Sequence, residues 1–254
     1  MRKLILSALI ATGLAGASSA ALANTGGEPL MKPEFSFNGF FGHYDQAQLK
    51  RGFEVYHQVC SNCHNLRLVA YRNLADVGLT PDEIKTVAAE RDIDDAPNDE
   101  GIISKRQGRP SDKYIGPFAN EKAAAAANGG AAPPDLSLMA KARVGGPNYI
   151  YSLMLGFADA PEHHVVPEGK YFNKYFPGGN ISMPPQLMDD LVTYTDGTKA
   201  TPEQMAKDIS AFLNWAAEPE LDARKSLGLK VMVFLGIFTA LLYALKRQIW
   251  KNIH

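Results

Sequence analysis

The stretch "EVYHQVCSNCHNLRL", Glu54 to Leu68, decides the fold because it contains both cysteines of the chain. Cys60, Cys63 and His64 stand there in the spacing Cys-x-x-Cys-His. Two thiols at this spacing can form a disulfide, a redox dithiol, half of a zinc site or the attachment point of a haem. The rest of the sequence distinguishes among these four uses.

Length and composition set only broad limits. The 254 residues suffice for one large domain or two small ones. A formal net charge of −1 provides no bulk attraction to nucleic acid or to an anionic membrane surface. The hydrophobic content of 46% is ordinary for a globular protein. The function must therefore be inferred from motifs and from the two ends of the chain.

The N-terminus has the pattern of an export signal. Arg2 and Lys3 form a basic start, an apolar run follows from Leu4 to about Leu14, and small residues lead to an A-x-A site that ends at Ala23. The alternative, an amphipathic first helix, would require a polar face that this stretch lacks. Residues 1–23 are therefore predicted to be a signal peptide, which places the mature chain in an oxidising compartment outside the cytoplasm.

The C-terminus has the pattern of a membrane anchor. No charge interrupts Val231 to Leu245, and the run extended back to Leu227 contains one charge, Lys230. That longer run would span about 28 Å as a helix, close to the ~30 Å hydrocarbon core. The alternative is a buried core helix. Residues 223–254 are predicted to be the anchor and a short tail.

Positive charges flank the anchor on both sides and do not decide its orientation. The export signal decides the orientation. It predicts that residues 24–222 form a domain outside the cytoplasm and that the C-terminus lies inside.

The Cys-x-x-Cys-His motif in this context favours haem. Zinc would need two more ligands at suitable spacing, but no second cysteine pair exists and His163 and His164 are adjacent. A redox dithiol would leave the histidine unexplained. Residues three apart share one face of a helical turn, so Cys60 and Cys63 can bond one haem edge while His64 ligates the iron. The sequence predicts one haem c, covalently attached through the two cysteines.

The sixth ligand decides what a haem iron does. An open position favours gas binding or catalysis, whereas a protein ligand favours electron transfer and a methionine raises the potential. Met183 lies in "FPGGNISMPPQL", whose glycines and prolines cannot form a regular helix but suit a rigid loop that presents a sulfur. His163 or His164 is the main rival. Helical or packing positions are assigned to four other methionines after the motif: Met139, Met154, Met188 and Met205.

Two helices frame the predicted domain. "YDQAQLKRGFEVYHQV" runs into the haem motif, and "TPEQMAKDISAFLNWAAEPE" carries an apolar stripe at helical spacing. Thr201 and Gln204 would form a capping box, with Pro202 at the first helical position. Gly52 would let the two helices approach closely, and Pro219 would end the second.

The segments between these helices complete the prediction of a mainly α fold. "RLVAYRNLADVGLTPDEIKTVAAE" is predicted to be largely helical, and the alanine-rich segment before Asn128 to form a helix that stops at Asn128–Gly130. Strand patterns are weak and limited to Asp190–Thr195. The predicted fold class is a c-type cytochrome domain with long loop insertions, plus one C-terminal transmembrane helix.

These residues together resemble the bacterial type of the cytochrome c1 family, the haem subunit of the quinol–cytochrome c oxidoreductase (bc1) complex. The likeness spans nearly the whole mature sequence. The haem motif alone is common to many cytochromes, whereas its combination with the tail anchor and the following stretches is specific. The matching stretches are "VCSNCHNL", "NGGAAPPDLS", "ARVGGPNYIYSLM", "YFNKYFPGGNISMPP", "DISAFLNWAAEPE", "RKSLGLKVM" and "YALKRQIW".

The resemblance implies roles for individual residues. Thioether attachment falls to the two cysteines, and axial ligation to His64 and Met183. Arg143 and Tyr149 match positions that approach the haem propionates, and an arginine can pair with a carboxylate through two hydrogen bonds. Two further positions match the haem crevice: Asn128 and Pro134.

The resemblance also implies a function. The haem would relay electrons from the Rieske iron–sulfur protein to cytochrome c, beside cytochrome b in a bacterial inner membrane, with the haem domain in the periplasm. The chain itself would make and break no substrate bonds. The alternatives are a free-standing anchored cytochrome c carrier, a haem-based gas or redox sensor with an open sixth position, and a zinc or thiol-redox module.

The acidic stretch "ERDIDDAPNDEG", Glu90 to Gly101, is the remaining candidate. Most charge runs are solvated loops. In a protein that delivers electrons to a basic cytochrome c, such a run can steer the encounter, and the family has a similar acidic insertion here. The candidate docking residues are Asp92, Asp94, Asp95, Asp99 and Glu100.

Overall fold

A computed structural model describes residues 28–251, so the predicted signal peptide, residues 1–23, lies outside the described residues. The α-helices are α1 (Gln46–Gln58), α2 (Pro81–Ala89), α3 (Glu121–Ala127), α4 (Met139–Ala142), α5 (Pro147–Leu155), α6 (Pro202–Ala217) and α7 (Leu221–Trp250). Two 3₁₀ helices cover Cys60–Asn62 and Tyr71–Val77. The strands are β1 (Leu66–Ala70), β2 (Asp92–Asp94), β3 (Lys105–Gln107), β4 (Lys113–Tyr114), β5 (Tyr171–Phe172) and β6 (Asn180–Ile181). The expected mainly α fold is confirmed, and the strands form three separate antiparallel pairs.

The packing of α1 against α6 is the centre of the domain. Both helices were predicted, and their facing sides are buried, with Tyr56 and Phe212 fully inaccessible to solvent. A Cβ added to Gly52 would lie 2.2 Å from the backbone oxygen of Asp208 and 2.6 Å from the Cβ of Phe212. The expectation that Gly52 permits a close approach is confirmed, because no larger residue fits between the two helices.

A buried carboxylate reinforces this crossing. The side chain of Asp208 on α6 is wholly inaccessible, and its oxygens accept hydrogen bonds from Arg51 Nε at 3.1 Å and Gln48 Nε2 at 3.2 Å, both on α1. Gln204 Nε2 adds further bonds at 2.9 Å. A charge removed from water in this way must be paired and hydrogen-bonded to be tolerated. The pairing therefore ties α1 to α6 at one relative position.

The predicted capping box on α6 is only half correct. The Thr201 hydroxyl accepts a bond from the Gln204 backbone N–H at 3.2 Å. The Gln204 side chain does not return to the cap, because it donates to the buried Asp208 instead. A complete capping box occurs at the start of α2, where Thr80 and Glu83 bond reciprocally.

Two secondary-structure predictions are wrong. The segment from Arg67 to Glu90 was predicted to be largely helical, but its first four residues belong to β1, whose backbone pairs with β4, in which Tyr114 faces Leu66. Asp190–Thr195 was predicted to be a strand but is irregular. Its apolar residues Val192 and Tyr194 still face the core. The Thr195 hydroxyl donates to Glu54 Oε1 on α1 at 2.6 Å, so side chains replace a strand partner.

Three residues separate the C-terminal helix α7 from the end of α6. Helix α7 is 30 residues long, and its most apolar window has a mean hydropathy of 2.0 with no residue buried in the domain. A helix of this length reaches about 45 Å, enough to cross the ~30 Å hydrocarbon core. Within residues 28–251 it is the one helix long and apolar enough to span a membrane.

Gly52→Ala is expected to destabilise the domain, because the added methyl group must push α1 away from the Asp208 backbone. Overpacking of this kind costs about 1–3 kcal/mol, and each kcal/mol corresponds to about 2–4 °C in Tm for a domain of this size. Thermal unfolding followed by circular dichroism measures the effect. Gly228→Ala is the control, since a Cβ there meets nothing within 4 Å. Equal Tm values for the two variants would contradict the close-crossing interpretation.

Candidate haem site

The end of α1 positions the Cys-x-x-Cys-His motif. After Gln58 the chain tightens into the 3₁₀ turn Cys60–Asn62, in which the backbone oxygen of Cys60 accepts bonds from Cys63 N at 3.1 Å and His64 N at 2.9 Å. Ser61 is buried inside this turn and donates to the backbone oxygen of His57 at 2.7 Å. Both cysteines are free thiols, on one turn that is fastened to its helix.

The imidazole of His64 is oriented for metal binding. Its Nδ1 lies 2.8 Å from the backbone oxygen of Pro134. A carbonyl oxygen can only accept, so Nδ1 carries the proton and Nε2 keeps the lone pair that a metal requires. Burial lowers the pKa of His64, although the bond to Pro134 and the charge of Asp135 oppose this shift. The neutral ring, which is the form that ligates metals, is therefore favoured.

Asp135 holds the Pro134 carbonyl in place. One of its carboxylate oxygens accepts from Arg67 N at 2.9 Å on β1, and the other accepts from Ser137 N at 2.9 Å. Burial raises the pKa of Asp135, but these hydrogen bonds outweigh it and the pKa lies below its usual value. Sequence reasoning missed Asp135, although it directly follows Pro134 in the matching stretch "PPDLS".

Further backbone bonds join the same segment to β1. Leu136 N donates to the backbone oxygen of Asn65 at 2.9 Å, and Leu68 N donates to the Ser137 hydroxyl at 3.1 Å. Pro134, which was predicted only as a crevice position, is therefore part of a braced loop that fixes the tautomer of His64. In metal sites, a hydrogen bond at the ring nitrogen that does not bind the metal orients the histidine in this way.

The Cys60 thiol lacks the character of a redox thiol. Burial, with the neighbouring Cys63, raises the pKa of the Cys60 thiol to about 12. A free Cys60 would stay protonated and unreactive as a redox thiolate at neutral pH. In the described part of the chain, no group of three or more His, Cys, Asp and Glu side chains could hold a metal ion. Two thiols and one neutral imidazole on a single turn are the donor set of a covalent haem.

The loop that contains Met183 is anchored on its N-terminal side. β5 and β6 pair Tyr171 with Ile181, and Met183 follows β6 by two residues, half-buried. The fully buried Asn173 donates from Nδ2 to the backbone oxygen of Leu153 on α5 at 2.8 Å. This bond fixes the hairpin to the helix beneath it, so the loop leaves the domain surface from a defined position.

The rival ligands are placed differently. His164 Nε2 lies 2.9 Å from Asn180 Oδ1, and the ring packs edge-on against Phe172. His163 is exposed. Met205 is fully buried in α6, and Met139 and Met154 pack against the core as expected. Met188 is 61% exposed, so its assignment to packing is wrong.

The structure brings Arg143 and Tyr149 together. Burial at the start of α5 raises the pKa of Tyr149, and the Arg143 guanidinium beside its hydroxyl partly lowers it. Arg143 is exposed and could also meet a carboxylate. Asn128 caps the end of α3, where its Nδ2 donates to the backbone oxygen of Ala124 at 2.7 Å. Contact of these three residues with haem stays a prediction.

The acidic stretch forms part of a hairpin in which β2 pairs with β3. Asp94 forms an ion pair with Lys105, and Asp95 pairs with Arg106 Nε at 3.2 Å. Across residues 28–251, no ion pair is found for the other candidate docking residues: Asp92, Asp99 and Glu100. The hairpin is therefore less acidic than the sequence suggests, because two of the five candidate docking carboxylates are locally neutralised.

Comparison with known proteins agrees with this geometry. The model of the cytochrome C1 family matches residues 35–253. The chain belongs to the cytochrome c1 family. Membership makes it a cytochrome, a protein whose redox centre is a haem, and the donor set at the end of α1 is where that group fits.

Similar proteins occur in bacteria and mitochondria. Cytochrome c1 of Rhodospirillum rubrum is 56% identical over 270 residues, covering 100% of this chain and 99% of the relative. The mitochondrial cytochrome b-c1 complex catalytic subunit of Candida albicans is 53% identical over 217 residues, covering 85% of this chain and 75% of the relative. Cytochrome b/c1 of Bradyrhizobium diazoefficiens is 45% identical over 271 residues, covering 97% of this chain but 39% of that protein.

Asp135→Ala is expected to raise the midpoint potential of the bound haem while covalent haem content is retained. Releasing the Pro134 carbonyl weakens its bond to His64, and a less basic imidazole stabilises the ferric state less. A loss of about 1 kcal/mol corresponds to about 40 mV for one electron. Spectroelectrochemical titration measures the shift.

Asp196→Ala is the control for this prediction. Asp196 is also a hydrogen-bonded carboxylate, paired with Arg51 at 2.8 Å, but its bonds serve the α1 side of the core. The control is expected to lower stability without moving the potential. Equal potentials for the wild type and Asp135→Ala would contradict the positioning role.

Proposed function

We propose that this chain is the electron-transfer subunit of a quinol:cytochrome c oxidoreductase of the bc1 type. It accepts electrons from an iron–sulfur protein and passes them to a cytochrome c. The observation that carries this proposal is the His64 imidazole, fixed by the Pro134 carbonyl directly after the two-thiol turn, in a member of the cytochrome c1 family. A bound haem supplies a one-electron couple at this position.

Different residues would attach the haem and ligate its iron. Cys60 and Cys63 would hold the haem covalently, and His64 Nε2 would be one ligand of its iron. We assign the second ligand to Met183, because its loop departs from an anchored hairpin and because Nε2 of the rival His164 is already engaged by Asn180. A histidine–methionine pair leaves no open position, which favours electron transfer over gas binding.

The partners follow from membership of the complex. A c1 subunit belongs beside cytochrome b, and the Bradyrhizobium relative that carries both in its name is consistent with close association. We extend this proposal to the electron donor, which we assign to the Rieske protein, and to the electron acceptor, which we assign to cytochrome c. Arg143 and Tyr149 are assigned to the haem propionates, since the pair presents a cation and a hydroxyl at one place.

The chain is anchored in the membrane by α7. We assign the haem domain to the periplasmic side of a bacterial inner membrane and the C-terminus to the cytoplasm. This orientation rests on the predicted export signal, because the basic residues around the span are balanced.

A reduced-minus-oxidised spectrum of the chain purified from membranes in mild detergent tests the proposal directly, with quinol as the reductant. Bands of b-type haem beside the c-type band, both reduced by quinol, support a bc1 subunit. A c-type band alone that quinol does not reduce would instead support the free-standing anchored carrier.

Met183→Leu is expected to keep covalent haem and to lower the midpoint potential by more than about 0.1 V, within the ~0.8 V over which axial ligands set haem potentials. Leucine matches the volume of methionine but provides no sulfur. Redox titration measures the change, and Met188→Leu is the control because Met188 is exposed in the same loop region. A Met183→Leu protein that titrates like wild type would show that the ligand lies elsewhere.

The unpaired acids of the hairpin are expected to steer a basic cytochrome c. Neutralising Asp92, Asp99 and Glu100 to their amides should slow electron transfer about tenfold at low ionic strength and have little effect at high salt. Stopped-flow kinetics across a salt series measures this. The control neutralises three exposed acids outside the hairpin: Glu121, Glu162 and Glu168. Equal slowing in both triple variants would indicate net charge rather than local docking.

A further inference from the structure

A short loop, residues 36–43, is fastened to the start of α7. Lys225 Nζ donates to three backbone oxygens of this loop, those of Phe37 at 2.7 Å, Gly39 at 2.7 Å and Gly42 at 2.9 Å. The loop is tightly wound, since a Cβ on Gly42 would lie 2.0 Å from the backbone oxygen of Asn38. We call residues 36–43 the Phe40 loop.

A second tie joins the same region to α7. The backbone N–H of Tyr44, directly after the loop, donates to both carboxylate oxygens of Asp222 at 3.2 Å. Asp222 and Lys225 lie three residues apart and so share one side of the helix. The Phe40 loop is thus attached to one face of the first turns of α7.

The position of this attachment along α7 determines where the loop lies relative to the start of the apolar run. Lys225 precedes Leu227, where the long apolar run begins, by two residues, or about 3 Å along the helix axis. Two of the three bonded carbonyls, those of Gly39 and Gly42, flank Phe40 and Phe41. The backbone between them is therefore held at the level where the membrane-spanning part of α7 begins.

The phenylalanines of this region differ sharply in solvent exposure. Phe35 and Phe37 stack on each other at 4.9 Å and are 5% exposed. Phe40 is 58% exposed and Phe41 is 79% exposed, and their rings contact each other edge-on at 5.0 Å. Two adjacent exposed phenylalanines, on a loop whose backbone oxygens bind Lys225, form an apolar tip beside the start of α7.

We propose that the Phe40 loop is a second membrane contact, in which Phe40 and Phe41 enter the boundary between headgroups and acyl chains of the leaflet next to the haem domain. Phenylalanine is typical of the apolar face of segments that lie in this layer. Lys225 places one positive charge against the backbone of the tip, whereas Arg224 is paired with Glu218. The contact extends the α7 interface and does not depend on which protein donates or accepts electrons.

A nitroxide spin label tests this placement in the full-length holoprotein. The haem occupies the thiols of Cys60 and Cys63, so an added cysteine is the single reactive thiol. Phe41→Cys is labelled in nanodiscs of phosphatidylcholine and phosphatidylglycerol, and power saturation compares accessibility to oxygen, which enriches in lipid, with accessibility to a water-soluble nickel chelate.

Val165→Cys is the matched control, because Val165 is 82% exposed on a loop between α5 and β5. The ratio of oxygen to nickel accessibility is expected to be several-fold higher at position 41 than at position 165. Equal ratios at the two positions would overturn the proposal. So would protection of position 41 from both reagents in the assembled complex, which would place the loop against another subunit.

A second variant tests the role of the tie. Lys225→Met retains most of the side-chain volume but removes the three bonds to the Phe40 loop. In this background the label at position 41 is expected to become several-fold more accessible to the nickel chelate while the haem spectrum stays unchanged. An unaltered accessibility ratio would show that Lys225 does not hold the tip at the membrane.

Discussion

The close crossing of α1 and α6 at Gly52 is the constraint on which the rest of the domain depends. With no side chain between the helices, the backbone of Asp208 contacts α1 directly. The buried carboxylate of Asp208 accepts hydrogen bonds from Arg51, next to Gly52, and from Gln48, about one turn earlier on α1. This fixes α1 in both position and rotation. Since the Cys-x-x-Cys-His turn begins two residues after α1 ends, the orientation of the haem site is set by the core beneath it.

The second requirement is a histidine with one defined tautomer. The chain meets it from a distant segment, since Pro134 lies 70 residues after His64. The loop that supplies the carbonyl is held by Asp135, by Ser137 and by the backbone of Asn65 and Leu68 around β1. A histidine whose proton is already held at Nδ1 would need no change of tautomer to bind iron through Nε2.

Local patterns predicted the parts of the structure that are local. The helices around Gly52 and Pro202, the C-terminal span and the cysteine motif are each determined by residues within a few turns of one another. Two failures have the opposite property. β1 depends on β4 more than 40 residues later, and Asp135 braces a carbonyl that bonds a histidine 70 residues earlier. The capping box fails for a different reason: Gln204 donates to Asp208, four residues along the same helix, because that buried carboxylate needs hydrogen-bond partners. The sequence shows the acidic residues themselves, but it does not show that Asp94 and Asp95 pair with Lys105 and Arg106, which lie on β3.

The start of α7 has a consequence for how the protein behaves on the membrane. Only three residues separate it from α6, and Lys225, Asp222 and the ion pair between Arg224 and Glu218 at 2.6 Å all bind it to the domain. These bonds restrict rotation of the domain relative to α7. The domain therefore keeps one orientation on its anchor and does not move freely on a flexible tether. Any long-range travel of electrons to or from this centre must then be made by the partners, which have to arrive at a fixed height and leave again.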